Sequence, residues 1–329
     1  MANLITADDI DFSVYEHETE AKQKVKSAKL YVQALIDRIN SPFKTKQNYM
    51  PWGKTRSLIQ FRPGEVTVWG GANGQGKSLV TGQVALSLCA QEQKVCIASF
   101  EMKPTKTLER MGRQWTKCNP ADPLVLGDPA ERRAMIDLME QFRDWTDNKL
   151  WLYDQQGTVQ WKQVCAVVRY CAKELGITQI FIDSLMKCVA GEDDYNGQKA
   201  FVDELCAIAR DHDIHVHLIH HIKKPPTDDA KPSKYDFKGT GAITDQPDNV
   251  IAVWRNKAKE RNRQAGKMVS ETEPDALLIV DKQRNGEGWE GNIGLWYEKQ
   301  SQQFVKSHTA EAMDFYAPPQ EEFSGEYGE

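Results

Sequence analysis

The chain has 329 residues, 40% of them hydrophobic and 27% charged, with a formal net charge of −5; that balance belongs to a folded protein and excludes one disordered throughout. The acidic excess excludes a generally basic nucleic-acid coat and leaves such a role to local patches. No apolar run approaches the roughly 20 residues of a membrane helix, the N-terminus has no basic-then-apolar leader, and seven cysteines without C-x-x-C spacing read as free thiols of a reducing cytoplasm.

Taken in chain order, Val25, Ala28, Val32, Leu35, Ile36 and Ile39 recur at spacings of three and four and predict an amphipathic helix over residues 18–40. Its apolar face packs either on its own domain or on a neighbouring subunit. Ser41-Pro42 ends the helix, and residues 44–54 read as a linker.

The apolar run Glu65–Gly70 predicts a strand, and Gly71-Ala-Asn-Gly-Gln-Gly-Lys-Ser78 follows it as a complete G-x-x-x-x-G-K-[ST] loop, opening a helix over residues 79–88. Between a strand and a helix this pattern binds a nucleoside triphosphate. Glycines let the turn wrap an anion, and backbone N–H groups from Gly71, Ala72, Asn73, Gly74, Gln75, Gly76 and Leu79 are candidates to face the phosphates. Lys77 supplies a point charge, and Ser78 is the expected Mg²⁺ ligand.

Beyond the loop, strands are predicted at 94–100, 150–153, 177–182, 214–220, 249–254, 275–281 and 291–297, with helices at 106–115, 130–147, 161–175 and 197–211 between them. Short apolar strands separated by helices imply an α/β fold with a mainly parallel sheet covered on both faces. Two of these strands run into acids. Glu101 ends one and can activate the water that attacks a γ-phosphate, or it is simply the first acid of the next helix. Asp183 ends the other and can anchor Mg²⁺, or it serves only a turn. Five of the seven histidines fall between His212 and His221, a density that also raises a metal site, although no ligand cluster with zinc spacing accompanies it.

Six motifs now stand in order: the phosphate loop, Ser99-Phe-Glu-Met-Lys-Pro104, Ile180-Phe-Ile-Asp-Ser-Leu185, His217-Leu-Ile-His-His-Ile-Lys-Lys-Pro225, Lys238-Gly-Thr-Gly-Ala-Ile243 and Asp281-Lys-Gln-Arg-Asn-Gly286. Together, over roughly residues 50–300, they closely resemble the RecA-like P-loop ATPase domain of replicative ring helicases, the DnaB-like and phage primase-helicase group of superfamily 4. The resemblance implies that Lys77 and Ser78 hold phosphate and metal, Glu101 activates water and Asp183 supports Mg²⁺. It also implies that His221 senses the γ-phosphate, with His220 as the other register. Arg255 matches a position that meets the nucleotide base in some relatives. Arg284, assisted by Lys282, matches a finger that reaches the next subunit's nucleotide; a charged surface hairpin is the plain alternative.

Lys223, Lys224 and Lys231 fall in a loop that faces the ring channel in the family, where ammonium groups track single-stranded DNA; a solvated Lys/Pro/Asp loop is the plain alternative. Lys238, Gly239, Thr240 and Gly241 match a second channel motif whose glycines admit DNA phosphates, or they form an ordinary turn. The implied protein is an ATP-dependent (or other NTP- or dNTP-dependent) DNA helicase in a bacterial or phage-infected cell, working as a hexamer on single-stranded and forked DNA. A RecA-like recombinase or recombination mediator, and a nucleotide-gated scaffold or loader, are the rival readings.

Three regions are expected: residues 1–50 as a docking helix and linker, 51–308 as the ATPase domain and 309–329 as a tail. With about 50 residues upstream of the core, no primase domain is expected in this chain, and a separate primase or loader becomes a candidate partner. Asp314–Glu329 holds five acids, four aromatics and no Lys or Arg, which predicts disorder in isolation. Such a tail resembles the polymerase-binding tails of phage helicases, or it only keeps the protein soluble.

Overall fold

The computed structural model describes residues 3–5, 27–40, 48–223, 227 and 229–316. Their strands are β1 (Asn3–Ile5), β2 (Val66–Gly70), β3 (Val95–Ser99), β4 (Leu150–Tyr153), β5 (Gln179–Asp183), β6 (His215–Ile219), β7 (Asn249–Arg255), β8 (Ala276–Gln283), β9 (Gly291–Glu298) and β10 (Gln303–Val305). They form one sheet in the order β1-β4-β3-β5-β6-β2-β7-β8-β9-β10, parallel from β1 to β7 and antiparallel from β7 to β10. The helices are α1 (Ala28–Asn40), α2 (Lys77–Ala90), α3 (Pro104–Thr116), α4 (Pro123–Gly127), α5 (Pro129–Thr146), α6 (Trp161–Glu174), α7 (Tyr195–His212), α8 (Ala242–Asp245) and α9 (Lys257–Gln264). The expected α/β architecture with a mainly parallel sheet is therefore present.

Alternation along the central strands sorts their side chains onto two faces. Val66 and Val68, Cys96 and Ala98, and Ile180 and Ile182 join one core with α6 and α7, while Trp69, Val95, Ile97 and Phe181 join the other with α2, α3 and α5. Burial on both sides explains why these strands read as nearly unbroken apolar runs.

The boundaries differ from the sequence expectation at both ends. Met50 and Trp52, expected in a linker, are buried, and Trp52 Nε1 donates to the Phe304 carbonyl at 2.7 Å, because a tryptophan buried on the sheet needs an acceptor for its N–H. Phe315, expected in a disordered tail, is buried, Tyr316 lies 4.5 Å from the Trp115 ring and Asp314 pairs with Lys117 at 2.7 Å. Apolar burial overrides the acidic composition there. Residues 317–329, with Phe323 and Tyr327, lie outside the described residues, as does the first part of the expected 18–40 helix. On α1 the apolar face stays open: Leu30 is 59% and Ile39 67% exposed.

The histidine run does not converge on one point. His215 and His217 lie fully buried on one face of β6. His215 contacts Thr67 Oγ1 at 2.8 Å and the Arg62 carbonyl at 2.7 Å. Trp69 Nε1 donates to His217 Nδ1 at 3.2 Å, so the proton sits on His217 Nε2, which donates to Gln179 Oε1 at 3.0 Å. His220 Nε2 meets the Lys238 carbonyl at 2.8 Å.

Burial pushes His215 and His220 down to about 4 and His217 well below its ordinary value. The unfolded chain, with histidines near 6.5, then binds protons that the native protein refuses. Their contribution to stability is complete above about pH 6.5 and is lost as pH falls toward the folded values, on the order of 1 kcal/mol per pH unit for each histidine. Glu65, Asp183 and Asp281, pushed up by burial, work in the opposite sense. The ordinary histidine value near 6.5 lies between pH 7.5 and pH 5 and the ordinary carboxylate values near 4 lie below that range, so the thermal midpoint is expected to drop between pH 7.5 and pH 5; a midpoint constant over that range contradicts this account.

Candidate functional site at the carboxyl ends of the strands

Strand order assembles the site. With β3, β5, β6, β2 and β7 side by side and parallel, the residues after their carboxyl ends line one edge: Glu101, Asp183, His221, the Gly71–Ser78 loop and Arg255. Gly74 and Gly76 adopt φ of +75° and +87°, a left-handed region that glycine enters without cost. A Cβ on Gly71 would stand 2.9 Å from the Val253 carbonyl, so only glycine fits where the loop passes β7.

Lys77 opens α2 and is buried; its Nζ donates to the carbonyls of Gly71 at 2.7 Å and Ala72 at 3.1 Å. It also lies 3.4 Å from His221 Nδ1, whose ring turns its Nε2 to Glu101 Oε1 at 3.4 Å. An ammonium can only donate, so Nδ1 accepts and the Nε2–H faces the carboxylate. His221 thus bridges the loop lysine and Glu101, while its neighbour His220 turns into the core beside Phe237.

Ser184 Oγ donates to Glu101 Oε1 at 3.0 Å, and Ser78 Oγ donates to Asp183 Oδ2 at 3.0 Å. The His221 hydrogen bond, helped by Ser184 and Lys187, holds the Glu101 carboxyl down at about 2 against the opposing effect of burial. Asp183 goes the other way: burial raises it, the Glu101 charge adds to that, and Ser78 and Lys77 oppose. Burial also lowers Lys77, opposed by Asp183 and Glu101.

A cleft of about 440 Å³ opens over the loop and is lined by Gln75, Lys77, Ser78, Glu101, Asp183 and Arg255 among others, a size suited to a small polar ligand. The Arg255 backbone N–H donates to Gln75 Oε1; its guanidinium pairs with Glu260 at 2.8 Å and lies 5.9 Å over the Tyr297 ring. Arg110 and Gln302 also line this cleft, and neither is a candidate from the sequence. Arg110 sits inside an ordinary amphipathic helix, and Gln302 arrives through antiparallel pairing that periodicity does not reveal. Ser184 is legible only as the residue after Asp183.

The remaining candidates lie outside this cleft, Lys238 bordering it through the N–H it donates to the His221 carbonyl. Lys282 Nζ donates to the carbonyls of Thr244 at 2.9 Å and Asp245 at 2.6 Å, at the end of α8. Arg284 reaches Asp248 Oδ1 at 3.3 Å and the Asp245 carbonyl at 3.0 Å. Both stand at the amino end of β7, where Lys282 is opposite Val250, whereas Arg255 marks its carboxyl end. Six residues of strand separate those ends by about 20 Å, so neither cation reaches the phosphate loop of its own chain. Lys231 Nζ lies 5.7 Å over the Trp254 ring, the Lys223 N–H donates to the Asp236 carbonyl at 2.6 Å, and Lys238 pairs with Glu192 at 2.5 Å. Gly239 has φ +83° and is followed by Thr240 and Gly241 at the start of α8. Lys224 lies outside the described residues.

The fold resembles two solved structures. The first, an ATPase domain, aligns with a TM-score of 0.69 and 16% identity, covering 86% of this chain and 99% of that one. The second, a DnaB-like replicative helicase described with its interactions with primase, aligns with a TM-score of 0.68 and 16% identity, covering 86% of this chain and 67% of that one. At that identity they speak for the fold alone, but the family described as DnaB-like helicase C terminal domain matches residues 56–306. With three quarters of its length inside that match, the chain belongs to the DnaB-like helicase family through its RecA-like ATPase domain.

Proposed function

We propose that this chain is a replicative DNA helicase: a ring-forming NTPase, stimulated by single-stranded DNA, that moves along one strand and separates the duplex ahead. Family membership implies nucleotide binding and hydrolysis. The observation that carries the rest is the placing of Arg284 about 20 Å from its own phosphate loop, at the opposite end of β7. A guanidinium that is to serve a nucleotide from there must serve one bound by another copy, which makes a closed ring of head-to-tail subunits the natural assembly.

In this reading the Gly71–Leu79 backbone and Lys77 bind the β- and γ-phosphates of ATP or another NTP or dNTP. Ser78 and Asp183 offer a hydroxyl and a carboxylate oxygen that already converge at 3.0 Å, a hard-oxygen pair that fits Mg²⁺. When bound, the ion neutralises charge on the phosphate oxygens. Glu101 takes the proton of the attacking water, the water oxygen bonds to the γ-phosphorus, and the electron pair of the broken P–O bond leaves with the diphosphate. His221 controls that base. While its N–H rests on Glu101 the carboxylate is a poor proton acceptor, near 2; giving that N–H to a phosphate oxygen removes the largest cause of the depression. Arg255 stands by for the base, and Arg284 with Lys282 supplies positive charge from the next subunit.

Lys223, Lys224, Lys231 and the Lys238–Gly241 turn are proposed to hold the phosphates of single-stranded DNA. Residues 1–50 are proposed to dock on a neighbour, the open face of α1 being the support for it. Leu35→Asp with Ile39→Asp is expected to replace a large assembly by small species in light scattering, with the melting curve unchanged because both side chains are exposed. An unaltered mass contradicts the docking role. Residues 309–329 are proposed to meet a DNA polymerase, and a separate primase or loader is the other expected partner. Among the described residues no helix is long and apolar enough to cross a membrane, and action in the cytoplasm of a bacterial or phage-infected cell is part of the proposal.

Nucleotide hydrolysis with and without an oligo(dT) strand tests the reading: stimulation of several-fold or more is expected, and a rate indifferent to single-stranded DNA counts against a translocating enzyme.

A further inference from the structure

Gln198 stands near the start of α7, outside every group given a role above, and is fully buried. Its side chain is almost wholly committed. Nε2 donates to the carbonyls of Gly191 at 3.2 Å and Glu192 at 2.8 Å, and Oε1 accepts from the Thr240 N–H at 3.0 Å. One amide therefore ties the loop that follows β5 to the turn that opens α8. A Cβ on Gly239 would fall 2.1 Å from Gln198 Oε1, so the turn is closed onto the amide with no space to spare. Lys238 and Glu192 span the same two segments with an ion pair at 2.5 Å.

The tied segment connects more than these two loops. At its upper end the Lys238 N–H donates to the His221 carbonyl at 3.1 Å, and the Lys238 carbonyl receives His220. At its lower end the Thr244 and Asp245 carbonyls hold Lys282, and the Asp245 carbonyl and Asp248 hold Arg284. Residues 238–248 thus run from the side of His221 to the side of Arg284, and Gln198 grips the run just where Lys238–Gly241 are proposed to take DNA.

We propose that Gln198 is the positioning residue that couples DNA binding to nucleotide hydrolysis: it holds residues 238–248 as one body, so that a DNA phosphate drawing Lys238 away from Glu192 moves the backbone beside His221 and the seat of Arg284 together. The inference rests on the proposed DNA-stimulated NTPase. A packed, hydrogen-bonded segment with two states is the physical element that coupling between sites requires. Without the Gln198 side chain the loop and the turn move independently, and the DNA signal stops at Lys238.

The test compares native protein, Gln198→Ala and Gln198→Glu for NTP hydrolysis with and without oligo(dT), for oligo(dT) affinity and for thermal midpoint. Gln198→Ala is expected to keep the DNA-free rate within about twofold and to bind oligo(dT), while losing about fivefold or more of the stimulation, the size of a modest coupling between sites. Gln198→Glu keeps an acceptor for the Thr240 N–H and is expected to fall between the two. A purely structural role would lower both rates in parallel with the melting temperature, and that pattern overturns the proposal, as does full stimulation in Gln198→Ala. A native protein that hydrolyses nucleotide without responding to oligo(dT) overturns the helicase reading itself, and this inference with it.

Discussion

Arg284→Ala is expected to bind nucleotide as the native protein does and to lose about 10³-fold or more of the DNA-stimulated rate, the range that an arginine supplied from a second subunit contributes to phosphoryl transfer. Loss of the side chain also removes its contacts with Asp248 and the Asp245 carbonyl. The guanidinium is half-exposed, and its buried partner Asp248 keeps the Val66 N–H as a donor, so a folding defect large enough to mimic the catalytic one is not expected, and the thermal midpoint checks it. Mixing separates the causes further. Arg284→Ala subunits keep a sound phosphate loop, and Lys77→Ala subunits keep a sound finger. Rings assembled from both at equal amounts present about a quarter of their interfaces with a native loop facing a native finger, because each interface draws one half from either subunit. Activity above that of either variant alone is the expected result; a finger acting within its own chain gives none, and Arg284→Ala with full hydrolysis removes the assignment outright.

Lys77→Ala is expected to abolish turnover, again by about 10³-fold or more, and to weaken nucleotide binding as well. The lysine is buried where two carboxylates, Asp183 and Glu101, keep it charged against desolvation. Alanine leaves those carboxylates facing the phosphates without their counter-charge, so the loop changes from attractive to repulsive for an anion. Steady-state hydrolysis with nucleotide binding measured in parallel checks both parts. Residual turnover within tenfold of native would show that the loop is not where phosphate is held.

The parallel half of the fold is legible because strands buried on both faces must be apolar throughout and must alternate with helices. Its chemistry is legible for the same reason: Glu101, Asp183 and His221 each follow such a run, and strand order alone brings them to one edge. The antiparallel half is harder. β10 has three residues, too few for any period to show, as has β1 at the far edge of the parallel half, and the partners of Gln302 and Trp52 depend on pairing between segments far apart in the chain. The histidine run, as sequence, suits a metal as well as a phosphate; burial on one face of β6 assigns His215 and His217 to the core, and one step along the backbone separates His220 from His221. Composition misplaces Asp314–Tyr316, because burial of the Phe315 ring and the contact of Tyr316 with Trp115 outweigh the acids around them.

The most direct measurement of the central claim is the unwinding of a labelled forked DNA duplex by the native chain with ATP and Mg²⁺, beside Lys77→Ala and with hydrolysis recorded in the same tubes. Strand separation by the native protein and none by Lys77→Ala is the predicted result. Hydrolysis stimulated by DNA with the fork left intact contradicts a self-sufficient helicase and moves the assignment to a RecA-like strand-exchange ATPase or to an enzyme that waits for a loader.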